Sequence, residues 1–159
     1  MKSSILREHK FRLLFQFDME SQDFDNDDEI SEKVNRYFAY MVEDKDEEDE
    51  MECDKKDIDD DIKELVVNFF RRYRIHREEI DKLIKDNLKN WKIERMAHED
   101  VNILRLCIYE MYYDDRIDEK VAINEAINLA KSYGNEKVAK LINGIIRTIY
   151  DNKNNIKEG

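Results

Sequence analysis

Catalytic and metal sites are built from histidines, cysteines, hydroxyls and carboxylates, and in this sequence those side chains are sparse or badly spaced. His9, His76 and His98 are too scattered for a metal site of short spacing, and neither His-x-x-x-His nor Cys-x-x-Cys occurs. Asp57, Asp59 and Asp61 have the D-x-D-x-D spacing of a calcium loop, but Ile62 stands where that loop needs glycine and Asn68 where it needs glutamate. A solvated acidic loop is the expectation there. The nucleophile candidates are five serines, Thr148 and Cys107, none with a histidine beside it in sequence. No enzyme activity, metal or cofactor is therefore expected.

Binding is better served than catalysis. Arg71, Arg72, Arg74 and Arg77 form the densest basic patch. It reads either as a helix end paired with acids such as Glu78 and Glu79, or as a nucleic-acid contact. Trp91 reads as a core or hinge residue. Gly144 lies inside a helical pattern, where glycine costs about 1 kcal/mol against alanine, so something must need the missing side chain. Close helix packing and the approach of an RNA backbone are the two candidates.

The elements that position these residues are helical. With three glycines and no proline, the chain lacks the clustered glycines of a phosphate loop or dinucleotide fingerprint and the regular turns of sandwiches and barrels. Helical patterns run over about 5–19, 28–42, 58–74, 80–91, 101–113, 119–133 and 136–150, about seven helices in an all-α fold. The hydrophobic phase slips near Ile75–Arg77, which predicts a break there, and Met96–Asp100 reads as a connection. Val101–Tyr113 is apolar on most sides, the mark of a central helix. Asp118 is placed to N-cap the next helix and Gly134 to end it in a left-handed turn. After the last helix, Asp151–Gly159 reads as a polar tail.

The 159 residues carry a net charge of −11, yet residues 43–61 alone hold thirteen acids against three lysines, a net of −10. The rest is nearly neutral and compatible with RNA. Residues 1–17 are basic, with Lys2, Arg7, Lys10 and Arg12 against Glu8. Cys53 and Cys107 form no disulfide framework, no signal peptide is evident, and no apolar run approaches the roughly 20 residues of a membrane span. A cytoplasmic protein without a membrane partner is expected.

From Asn90 onward the strings are specific: Asn90-Trp91, Glu94-Arg95-Met96, Asp100, Ile103-Leu104-Arg105, Tyr109-Glu110, Val121-Ala122-Ile123-Asn124-Glu125-Ala126, Leu129-Ala130-Lys131, Tyr133-Gly134 and Ile142-Asn143-Gly144-Ile145. In order and spacing they resemble the bacterial transcription antitermination factors of the NusB family, and Arg7 and Leu14-Phe15-Gln16-Phe17-Asp18 match as well.

The resemblance implies one non-catalytic, all-helical RNA-binding domain of two small bundles. These would be an N-terminal bundle over about 1–75 with the acidic insert 43–61, and a C-terminal bundle over about 76–152 before the tail 153–159. Family members bind the boxA element of ribosomal RNA operon transcripts with the ribosomal protein NusE, within the RNA polymerase elongation complex and its other Nus factors. Carried onto this chain, the RNA surface combines the basic N-terminal arm (Lys2, Arg7, Lys10) with the start of the last helix (Lys137, Lys140, Leu141, Asn143, Gly144). The partner positions fall on Phe15 and Asp100. Arg105 and Glu110 match the motif as an internal ion pair.

Two departures stand out. Ser3-Ser4 replaces adjacent arginines, and Leu141 stands where relatives present an aromatic that would stack on a base for roughly 1–3 kcal/mol. Weak RNA affinity without the partner is expected. The alternative readings are an interaction protein that has lost RNA binding, and a stray domain of the type that precedes RNA cytosine methyltransferases.

Overall fold

The computed structural model describes residues 2–20, 26–43, 60–88 and 92–158. Most of the acidic insert lies outside them, as do Asn90 and Trp91. Six α-helices follow one another: α1 Lys2–Met19, α2 Asp27–Glu43, α3 Asp60–Asp86, α4 His98–Tyr113, α5 Glu119–Tyr133 and α6 Glu136–Glu158. A short 3-10 turn over Ile93–Arg95 precedes α4, and no strand occurs among the described residues. The chain divides into two compact units, Met1–Ile75 and His76–Gly159.

In the first unit the core is aromatic. Ile30, Val34 and Phe38 of α2 are fully buried with Phe11, Leu13, Leu14 and Phe17 of α1 and Val66, Phe69, Phe70 and Tyr73 of α3. Phe17 meets Phe70 edge-on at 5.4 Å, and Phe69 stacks on Tyr73 at 5.7 Å, geometries suited to the ring quadrupoles. Asn26 caps α2 by accepting from the Glu29 amide at 2.8 Å. Arg71 donates to Ser31 Oγ at 2.9 Å and Arg74 lies 3.8 Å from Asp27, so two of the four clustered arginines tie α3 to α2.

The expected break at Ile75–Arg77 does not occur: α3 is continuous. Ile75 is off the buried face altogether, at 71 % exposure. The buried register instead passes through Tyr73, half-buried Arg77, Ile80 and Ile84. An arginine stem covers apolar surface while its head stays polar, so the stripe continues through a residue type that periodicity discounts. The boundary between the units falls at this point of the helix.

In the second unit α4 packs against both α5 and α6, and α5 against α6. Ten residues of α4 are buried, which is what its apolar circumference implied. Ala122, Ala126 and Ala130 give α5 a narrow buried face, and the Cys107 thiol sits 3.6 Å from the Ala122 carbonyl. The α4–α3 link inside this unit runs through Arg105, which makes a bidentate pair with Asp81 at 2.9 and 3.2 Å and also donates to Asn102. Arg105 thus has a carboxylate partner on another helix, Asp81, which α3 brings alongside; residues five apart on α4 do not face each other directly.

Asp118 caps α5, accepting from the Lys120 amide at 2.8 Å. Replacing it with alanine is expected to lower stability by about 1 kcal/mol, read as a shift in the urea midpoint. The predicted polar tail is also helical, as α6 continues to Glu158. Lys153 holds it there, donating to the Met111 carbonyl at 2.9 Å and pairing with Glu119, and Asn152 donates to Asn87 at 2.8 Å.

Candidate nucleic-acid interface

Asn135 caps α6 by accepting from the Val138 amide at 2.9 Å. Ala139, Ile142, Ile145, Ile146 and Ile149 face the core. At about 100° per residue, Lys137, Lys140, Leu141, Gly144, Arg147 and Thr148 then fall within roughly one third of the opposite circumference. Lys137, Lys140, Gly144 and Arg147 are indeed exposed, and Leu141 is 37 % exposed. This stripe carries three cations and no acid until Asp151, one turn further on.

Gly144 is the decisive position in it. A Cβ built there would meet nothing within 4 Å, so helix packing inside the unit does not require glycine. Its carbonyl accepts from Thr148 Oγ at 3.0 Å, which leaves the helix intact. A cost of about 1 kcal/mol in helix propensity is therefore unexplained by anything in the described residues. Half-buried Asn143 accepts from Arg147 Nε at 3.3 Å.

Gly134 differs. Its φ of −135° is not left-handed, contrary to expectation. A Cβ there would lie 2.9 Å from the Ala130 carbonyl oxygen and 3.2 Å from Val138, so space rather than backbone conformation demands glycine between α5 and α6.

The N-terminal candidates are not equally exposed. The side chain of Lys2 is outside the described set. Arg7 and Lys10 are only 7 % and 6 % exposed, and Lys10 Nζ lies over the Phe69 ring at 4.8 Å. Both side chains are buried in this conformation. Positions 7, 10, 14 and 17 share one face of α1, and Leu14 and Phe17 are buried on it as well. Counting bases without their register missed this.

His9, also fully buried, bonds through Nδ1 to the Tyr37 hydroxyl at 3.0 Å. Burial, aided by the Arg12 charge, lowers its pKa to about 4. The unfolded chain, with an ordinary histidine value, binds more protons than the folded one between those limits, so stability falls as pH drops from 6.5 towards 4. Between pH 7 and 5 the His9 contribution to this loss is about 2 kcal/mol. Urea midpoints of wild type and His9→Gln at the two pH values measure it, and the variant is expected to lose that part of the slope.

Phe15 and Asp100 are both half-buried, Asp100 in the first turn of α4 with its pKa raised by burial and by Glu99. They lie in separate units. His76 stacks on Tyr113 at 3.7 Å, and no group of three metal-ligating side chains occurs among the described residues.

Comparison with known proteins agrees with this helical architecture. The family model described as the NusB family matches residues 4–151. The chain belongs to the NusB family. A transcription antitermination protein NusB of Clostridium botulinum (strain Loch Maree / Type A3) is 41 % identical over 140 residues, 88 % of this chain and 93 % of that protein. The NusB of Lachnoclostridium phytofermentans is 35 % identical over 146 residues, covering 92 % and 96 %. Among solved structures, T. maritima NusB superposes with a TM-score of 0.70 at 27 % identity, covering 92 % of this chain and 88 % of that one. A chain from a structure of NusB and NusE in complex with dsRNA superposes at 0.69 and 23 % identity, covering 94 % and 96 %, a likeness of fold. The all-α NusB fold expected from the strings at 90–146 is thereby established, with six α-helices described where about seven were expected because α3 is unbroken.

Proposed function

We propose that this NusB-family chain is a non-catalytic transcription antitermination factor that binds boxA RNA of ribosomal RNA operon transcripts together with NusE. It would deliver that RNA to the RNA polymerase elongation complex and its other Nus factors. The observation that carries the reading is Gly144, a bare, exposed glycine on a basic helix face with no role in the packing of its own unit. Lys137 and Lys140 bind phosphates, Leu141 offers an apolar surface to a base, and Asn143 and Gly144 shape the approach. Arg7 and Lys10 support α1 from inside, while Lys2 remains the N-terminal candidate for phosphate. Phe15 and Asp100 are proposed contacts for NusE. The protein acts in the cytoplasm, and no described helix is long and apolar enough to cross a membrane.

Fluorescence anisotropy of labelled boxA RNA, with and without NusE and against a scrambled RNA, tests this. Selective binding that NusE strengthens is expected, with log affinity falling linearly in log salt. Absence of selectivity even with NusE present overturns it. The burial of Arg7 and Lys10 and the leucine at 141 favour a second reading, a NusE-binding protein with weakened RNA contact. It predicts NusE binding that scrambled RNA follows as well as boxA.

A further inference from the structure

Arg147 belongs to no matched motif, yet it continues the exposed face of α6. It follows Gly144 by three residues as Lys140 precedes it by four, so the two cations flank the bare glycine about one helical turn to either side. Arg12, Arg36, Arg74, Arg105 and Arg116 each have a carboxylate within ion-pair distance. Arg147 forms no ion pair among the described residues, and its hydrogen bond to Asn143 Oδ1 uses Nε. Its two terminal amino groups make no hydrogen bond or ion pair among the described residues, which leaves the fork of a guanidinium, a shape matched to phosphate oxygens, open to a ligand.

We propose that Arg147 is a phosphate-binding residue of this chain, bracketing with Lys140 the backbone of an RNA strand seated over Gly144. Asn143 holds the guanidinium by Nε. The missing Cβ at 144 lets the strand approach the helix between the two charges. Arg147 thereby restores a phosphate contact in a chain with serines at positions 3 and 4. The inference rests on the RNA-binding reading and deepens it.

Titrating labelled boxA RNA in the presence of NusE across a salt series tests it with wild type, Arg147→Gln, Arg147→Lys and, as a control of equal charge change on another helix, Arg36→Gln. Arg147→Gln is expected to weaken binding about 3- to 10-fold and to flatten the log–log salt slope by roughly 0.7 to 1, one phosphate's worth. Arg147→Lys restores most of the slope, and Arg36→Gln leaves slope and affinity unchanged. Glutamine is a good helix former, and coincident melting curves confirm that each variant is folded. If wild type binds selectively and Arg147→Gln matches it in affinity and slope, the role of Arg147 is refuted while the function stands. An equal effect of Arg36→Gln also refutes it, since net charge rather than position would then be responsible. Absence of selective binding by wild type refutes the function itself, and the role of Arg147 with it.

Discussion

Asp81→Leu is expected to lower stability by about 3 kcal/mol, a fall in melting temperature of roughly 6–12 °C for a chain of this size. The reason is the charge left behind. Arg105 is only 14 % exposed on its side chain and meets Asp81 through two parallel hydrogen bonds. Leucine at 81 suits the helix and the half-buried position, so the loss is not one of packing or propensity. It is the cost of taking both charge-assisted hydrogen bonds of this pair from a mostly buried guanidinium. The double variant Asp81→Leu with Arg105→Met removes both charges and fills the same space, and it is expected to recover most of the stability. Thermal melts of the two single variants and the double variant form the cycle that checks this. Melting of Asp81→Leu at the wild-type temperature would mean that the pair contributes nothing.

Gly144→Glu is expected to weaken boxA binding at least thirty-fold, about 2 kcal/mol, with no loss of stability. Nothing lies within 4 Å of the position a Cβ would take, so the substitution is sterically free within the protein. Glutamate is also a better helix former than glycine. It places a carboxylate on two methylenes where the RNA strand is proposed to sit, between Lys140 and Arg147. Gly144→Ala separates the two effects, since it is expected to raise stability by about 1 kcal/mol while weakening RNA binding less. A stability gain coupled to a binding loss is the signature of a residue kept for what lies outside the fold. Anisotropy titrations beside urea melts read both at once.

Much of the fold was legible because local signals agreed. Asp118 sits where a cap is needed, and α4 shows by its all-round apolar sequence that it is enclosed. Some of the misread points share a cause, a polar residue that occupies a buried register. Arg77 carries the stripe of α3 through a place where periodicity lapses, so a continuous helix looked broken. Arg7 and Lys10 share one face of α1 with buried Leu14 and Phe17, a burial that a count of basic residues does not show. Extension of α6 to Glu158 depends on Lys153 reaching Met111 and Glu119, tertiary contacts that a polar sequence does not announce. The candidate interface was half visible. Lys137, Lys140 and Leu141 came with the resemblance, whereas Arg147 needed only its register with Gly144, the i to i+3 spacing of one helix face.

The most direct test of the RNA face is a 15N–1H correlation spectrum of the NusE-bound protein titrated with boxA RNA. The chain has three glycines, Gly134, Gly144 and Gly159, whose amides fall in their own region of the spectrum. The account predicts that the Gly144 signal shifts or broadens with boxA at concentrations where scrambled RNA leaves it in place. A Gly144 signal unmoved at RNA saturation, while resonances elsewhere shift, would contradict it.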